Sequence, residues 1–311
     1  MSAPLSLPGL TQFLSRLEDY PRLLEAVDQG KQTIALSGLS AVHRAYLAAA
    51  LHQSTGRPLT LVCPDDGEAR RLAGDLSALT GAEVPVLPAR DFLFHPGAAS
   101  RQWEHQRLEI LARLHRGDCP VLVATVEGLL QRTMPPETLD RAALTLKLEG
   151  QYSLDTLADQ LTAAGYTRCD QVEGPGQFSL RGGILDVYSP AAEAPVRAEF
   201  WGDEIESMGI FDPSTQRRTA NITEAVLLPA AETLPQLAPG GILGLCAAIE
   251  KEKRKVERAM KRSNDPKGLQ TLWNTMEAVS RKLADLQSFP AADRYMDLIY
   301  PDFACGADYL P

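Results

Sequence analysis

The sequence predicts an α/β chain in which a parallel-sheet domain is joined to a second domain of α+β type. Three observations carry this. In the first third, short apolar runs alternate with helical stretches, which implies a parallel sheet covered on both faces. From 170 to 212 the chain becomes β-like and rich in turns, and its last hundred residues are rich in helix signals. At 311 residues it is long enough for two or three domains, each with its own core. Three domains are expected, over 1–127, 128–217 and 218–311, with the last packing back on the first.

In order along the chain, TIALSGL (33–39) predicts a short strand and Ser40 to about Gln53 a helix. LTLVCPD (59–65) repeats the pattern as a buried strand and a Pro-Asp turn before a helix over 66–80. VPVLPA (84–89) and CPVLVATVEGLL (119–130) predict two further buried strands. Between them, Trp103, Leu108, Leu111 and Leu114 fall near helical spacing and Gly117 supplies a stop, so 100–116 reads as an amphipathic helix. After Pro135-Pro136, LTLKLEG (144–150) predicts a strand. A helix follows over 153–164, with Ser153 as N-cap, Asp155 in the positive first turn and Gly165 as the stop. In 196–201, Val196, Ala198 and Phe200 alternate with Arg197, Glu199 and Trp201, the pattern of a half-buried strand. Helices are expected over 247–262 and 269–287. Residues 250–262 hold seven Lys/Arg against three Glu. They read as a solvated face with internal ion pairs, or as a contact for the DNA backbone or another domain.

Composition narrows the function. The net charge of −9 argues against a surface devoted to DNA, because Lys and Arg supply most non-specific affinity for phosphates. No apolar run approaches the roughly 20 residues that cross a bilayer. The start, MSAPLSLPGLTQFLSRL, lacks the basic and apolar pattern of a signal peptide. A cytoplasmic protein without membrane contact is expected, and the stop at GADYLP suggests a piece of something longer. The five cysteines (Cys63, Cys119, Cys169, Cys246, Cys305) form no CxxC pair and read as free thiols, buried as free cysteines usually are. The histidines have no metal-binding spacing, so neither metal nor cofactor is expected. Asp203-Glu204 and Asp65-Asp66 lie beside turn residues, where Asp caps turns.

A phosphate loop would sit at the strand–helix junction near 37–44. It needs G-x-x-x-x-G-K-[ST], whose backbone amides cradle phosphates while Lys and Ser/Thr hold the terminal phosphate and Mg²⁺. The junction instead reads Ser37-Gly38-Leu39-Ser40-Ala41-Val42-His43-Arg44. The second glycine and the Lys-Ser/Thr pair are both missing. No catalytic residue is expected, and a nucleotide fold kept as a scaffold fits better than an ATPase.

The β-rich stretch is more specific. Asp170-Gln171-Val172-Glu173-x-Pro175-Gly176-Gln177-Phe178-Ser179-Leu180-Arg181-Gly182-Gly183-Ile184-Leu185-Asp186-Val187-Tyr188, then Val196-Arg197-x-Glu199-Phe200-x-Gly202-Asp203-Glu204, and Phe211-Asp212-Pro213-x-Thr215-Gln216-Arg217, follow one another in that order. With Leu87-Pro88-Ala89, Gln106-Arg107-Leu108-Glu109 and Val123-Ala124-Thr125-Val126 ahead of them, they closely resemble the N-terminal, UvrB-like region of the transcription-repair coupling factor family. The resemblance covers about 5–230 well and the helical tail poorly. The UvrB family carries an intact phosphate loop and a tyrosine-rich DNA-clamping hairpin, and this sequence has neither. The resemblance implies a degenerate helicase/P-loop-like parallel-sheet domain (UvrB domain 1 type) with an inserted α+β UvrA-binding domain (UvrB domain 2 type).

Its implied function is recruitment of the excision-repair protein UvrA to RNA polymerase stalled at DNA lesions. In the family, RNA polymerase and DNA are engaged by regions this chain does not contain, among them an ATP-driven translocase. The docking face is also masked there by the family protein's own C-terminal domain. The alternative is a UvrB-like DNA-binding or helicase subunit. A domain that merely shields the motor is a further possibility, compatible with docking. The family's UvrA-contacting positions match Arg168, Arg181, Arg197 and Glu199, with Phe178 as an apolar anchor. Strand alternation adds Trp201 to Arg197 and Glu199 on the outer face, and Arg beside an exposed aromatic is hot-spot composition. The plain structural alternative is an ion pair between Arg197 and Glu199 on one strand.

Overall fold

The computed structural model describes residues 9–31, 33–90, 101–263, 266–284, 292–302 and 304–311. The chain divides into two compact units, 1–90 with 110–131 and 309–311, and 91–109 with 132–308. The helical region after 217 thus falls in the same unit as the β-rich stretch.

The first unit opens with a 3-10 turn, Leu10–Arg16, and helix α1 (Asp19–Asp28). Leu14, Tyr20 and Leu23 bury themselves against Ala50 of α2 (Ala41–Thr55). The sheet is parallel and has the order β1-β3-β2 among the described residues, from β1 (Leu59–Cys63), β2 (Val86–Leu87) and β3 (Val121–Thr125). Flanked on both edges, β3 is buried throughout, which explains its unbroken apolar run. α3 (Asp66–Thr80) starts where the Asp65 carboxylate accepts a hydrogen bond from the Glu68 amide at 2.8 Å. Ala69, Ala73 and Leu76 of this helix pack with Ala45 and Ala49 of α2 on Val121 and Val123. α4 (Arg101–His115) gives its residues from Ile110 onward to this unit and stops before Gly117, which is left-handed at φ 75°.

Two expectations are corrected here. Residues 33–39 form no strand: Leu36 and Leu39 are exposed and only Ile34 is half-buried. A strand needs a neighbour to take its backbone hydrogen bonds, and none of the described strands pairs with this segment. Residues 119–130 are half strand and half helix. The Thr125 hydroxyl accepts a hydrogen bond from the Gly128 amide at 3.0 Å and starts α5 (Val126–Leu130).

The second unit contains α6 (Pro136–Ala142), β4 (Leu144–Lys147) and α7 (Leu154–Ala163). As the sequence predicts, the Ser153 hydroxyl caps α7 and Gly165 ends it in the left-handed region, at φ 88°. Six strands then form one sheet, in the order β10-β9-β8-β7-β6-β5. They are β5 (Thr167–Arg168), β6 (Gln177–Arg181), β7 (Ile184–Tyr188), β8 (Val196–Trp201), β9 (Glu204–Phe211) and β10 (Arg218–Asn221). All pairings are antiparallel except β5 with β6. β11 (Glu224–Leu227) pairs separately with β4. Leu146, Leu157, Leu161 and Leu227 pack with Phe178, Leu185, Val187, Val196, Ala198 and Met208 of the sheet. That one-sided core gives the sheet a core face and an opposite, polar face.

The first half of α4 is fastened within this unit by buried polar groups. Arg107 donates to the Glu232 carboxylate at 3.1 Å, with both side chains essentially inaccessible. The Tyr300 hydroxyl accepts from the Leu234 amide at 2.9 Å and donates to the Glu232 carbonyl at 3.2 Å. His105 lies 3.1 Å from the Ala230 carbonyl, and burial holds its imidazole below the ordinary pKa. α8 (Gly241–Met260) and α9 (Lys267–Ala284) form a helical hairpin, and a short α10 (Met296–Ile299) follows. The sequence-predicted extension of α9 over 285–287 lies outside the described residues.

Candidate functional site

The polar face of the six-stranded sheet is written by strand alternation. Ser179, Asp186, Arg197 and Gly209 stand in one cross-strand row, and Arg181, Ile184, Glu199 and Ser207 in the next. The turn joining β6 to β7 depends on its glycines. Gly182 has φ 59°, and a Cβ on Gly183 would stand 2.9 Å from the Phe200 carbonyl oxygen. The Phe200 amide donates to the Gly183 carbonyl at 2.7 Å, so the turn lies directly on β8.

The centre of this face is a second buried layer. Asp186 is 1% exposed and receives both arms of Arg197, at 2.6 and 2.8 Å, plus one arm of Arg181 at 3.0 Å. Arg197 also donates to the Gln216 carbonyl and side-chain oxygen, at 3.2 and 3.3 Å, and its guanidinium lies 4.5 Å from the centre of the Phe211 ring. Gln216 takes up a left-handed φ of 60°, within a turn where the Asp212 carboxylate accepts from the Ser214 and Thr215 amides. Its amide group donates to the Val172 and Pro213 carbonyls. The 212–217 turn therefore covers the guanidinium, whose side chain is 18% exposed. The hydrogen bonds to Asp186 raise the Arg197 pKa still further, so it is charged at every working pH.

Around this centre lie the accessible groups. Arg181 is about half exposed, at 53%, and Arg168 on the edge strand β5 is exposed and has no ion-pair partner among the described residues. The two line one shallow pocket of about 280 Å³ with Cys169, Asp170, Ser179 and Leu180. Trp201 is 80% exposed beside Gly202, a turn glycine at φ 63°. Glu199 pairs with Arg218 at 3.1 Å, and Arg218 also donates to the Ser207 hydroxyl at 2.6 Å.

Of the expected docking residues, Arg168, Arg181, Glu199 and Trp201 are thus at the surface. Phe178 requires correction: it is fully buried in the core, because its place on β6 turns it to the α7 side. Arg197 is largely enclosed, and the Arg197–Glu199 pair considered from sequence is absent, since each residue has another partner. Asp186, Gln216 and Arg218 belong to this face as well, beyond the residues that the sequence points to. A carboxylate between Leu185 and Val187, in a strand otherwise apolar, is the signal that a buried cation partner was needed.

In the first unit, Ser37, Gly38, Leu39 and Ser40 are exposed ahead of α2. Gly38 is left-handed at φ 80°, and the Ser40 hydroxyl accepts from the His43 amide at 3.5 Å, capping the helix start. Arg44 is engaged by Glu68 at 2.9 Å. All five cysteines are free thiols, with Cys169 and Cys246 only partly buried. Among the described residues no group of three or more His, Cys, Asp or Glu could hold a metal ion, and no helix is long and apolar enough to cross a membrane.

Residues 144–232, which span β4 to β11 and this whole face, match the UvrB interaction domain family. The chain is 27% identical over 98% of its length to the transcription-repair-coupling factor of Bacillus subtilis, covering 26% of that protein. It is 36% identical over 65% of its length to that of Myxococcus xanthus, and 34% identical over 66% to that of Escherichia coli, covering 18% of each. The chain spans about a quarter or less of the length of these relatives. Residues 144–232 are thus similar to the UvrB interaction domain, in a chain that is similar along nearly its whole length to part of a transcription-repair-coupling factor.

Proposed function

We propose that this chain is a non-catalytic docking module of nucleotide-excision repair. It binds UvrA through the accessible groups of this sheet, at Arg168 on its edge strand and at Arg181, Glu199 and Trp201. Within a longer protein it brings UvrA to RNA polymerase stalled at a lesion, and a C-terminal domain of that protein masks the face until it is needed. The observation that carries this reading is the presence of two accessible arginines at one pocket, within the stretch that matches the UvrB interaction domain. A guanidinium can meet a partner carboxylate through two parallel hydrogen bonds, and Trp201, exposed at the end of β8, offers a large apolar surface. Hydrogen-bonded strands of one sheet hold these groups in place, so little ordering is needed on binding.

The same reading makes the first unit a scaffold of the UvrB domain 1 type that no longer binds ATP. Residues 37–44 offer no lysine to a terminal phosphate, and Arg44 is already held by Glu68. The test is calorimetric titration of UvrA with the chain and with Arg168→Ala and Arg181→Ala. A loss above about tenfold is expected for each, corresponding to a contact worth about 1.4 kcal/mol or more. Unchanged affinity in both variants would overturn the assignment.

A further inference from the structure

The basic stretch 250–262 takes a definite form in the fold. Lys251, Arg254, Lys255 and Arg258 are exposed on α8, and Lys261 and Arg262 are exposed in the turn that follows. At 3.6 residues per turn the four helical cations fall within about 100° of one another. The opposite face, carrying Leu245, Ile249 and Lys253, is buried. The acidic residues of this hairpin are largely occupied. Glu250 and Glu277 hold the Lys253 ammonium at 2.6 and 2.5 Å, Glu257 accepts from the Trp273 indole at 2.9 Å, and Glu252 pairs with Lys255 at 2.6 Å. Lys251, Arg254, Arg258, Lys261 and Arg262 have no ion-pair partner among the described residues.

We propose that this stripe on α8 is a second binding surface, and that it takes the phosphodiester backbone of a nucleic-acid duplex without reading its sequence. The stripe runs about 16 Å at 1.5 Å per residue, and a duplex carries one negative charge per roughly 1.7 Å of axis, so several phosphates lie within reach at once. A protein partner is disfavoured by what lies between the cations. From Lys251 to Arg262 the exposed positions are charged or alanine, whereas protein interfaces are built round apolar and aromatic cores and are depleted in Lys. The stripe also carries no Asn, Gln or aromatic side chain for base edges, which leaves backbone contact. Because the chain as a whole carries a net charge of −9, the attraction is local and steeply weakened by salt.

The experiment is fluorescence anisotropy of a short mixed-sequence duplex titrated with the full chain, and with the variant Lys251→Gln/Arg254→Gln/Arg258→Gln/Lys261→Gln, between about 50 and 200 mM salt. Four neutralised phosphates give an expected slope of about −4 in log affinity against log salt. The quadruple variant should bind at least tenfold more weakly at the low end, and each single substitution should flatten the slope by about one. Since the replaced side chains are exposed and unpaired, the melting midpoint should not move. No binding by the unaltered chain at low salt, an unchanged slope in the variants, or equal competition by polyglutamate would overturn the proposal. It fails separately from the docking reading: a chain that binds duplex but not UvrA supports this inference and sinks the other.

Discussion

The centre and the rim of the polar sheet face present the same residue type to the same carboxylate, with opposite consequences. Arg197 and Arg181 both reach Asp186, yet the first is enclosed beneath the 212–217 turn while the second keeps half its surface in water. In sequence both belong to the outward set of an alternating strand. Outward from the core is not the same as free, because a tight turn can lay a second cover over the far side of a sheet. The enclosed arginine neutralises a buried charge and its loss should unfold the domain. The open arginine has a guanidinium to spare for a partner.

The largest expected effect tests the centre. Arg197→Glu leaves Asp186 buried without its main partner and sets a second carboxylate beside it, so urea unfolding should show a loss of about 3–5 kcal/mol or a domain that does not fold. A loss below about 1 kcal/mol would place Arg197 with the exposed ion pairs instead. Gly183→Ala should follow, at about 1–3 kcal/mol, because its new methyl meets a backbone carbonyl and not a flexible side chain. At the rim, Arg181→Ala should move stability by no more than about 1 kcal/mol, since its ion pair is half solvated. Its effect belongs in UvrA affinity, and finding it in the melting curve would erase the distinction between rim and centre. The smallest effect is expected for Glu199→Gln, which loosens an accessible pair with Arg218 and should cost a few tenths of a kcal/mol, read by the same melt.

Local signals in the sequence were readable where the physics is local. Ser153 and Gly165 bracket α7 as cap and stop, because both act on the backbone within one turn. The alternation in 196–201 separates core from polar face correctly and leaves Trp201 bare at the strand end. What failed was non-local. The apolar run 33–39 looks like a strand, but a strand exists only through its neighbour. The family resemblance points to Phe178 as an anchor, whereas the local alternation of β6 sets it with Leu180, facing α7. Asp186 gave one clue to the buried charge cluster, a carboxylate inside an apolar strand. The cover over Arg197 depends on Gln216, a residue thirty positions from Asp186 with no pattern to announce it.

The most direct test of the rim as the docking surface is UvrA affinity of Arg168→Ala/Arg181→Ala, measured by calorimetry on protein whose unfolding midpoint has been recorded. A fall well beyond tenfold with the midpoint held near that of the unaltered chain is the expected result. Unchanged affinity in a folded double variant would contradict it.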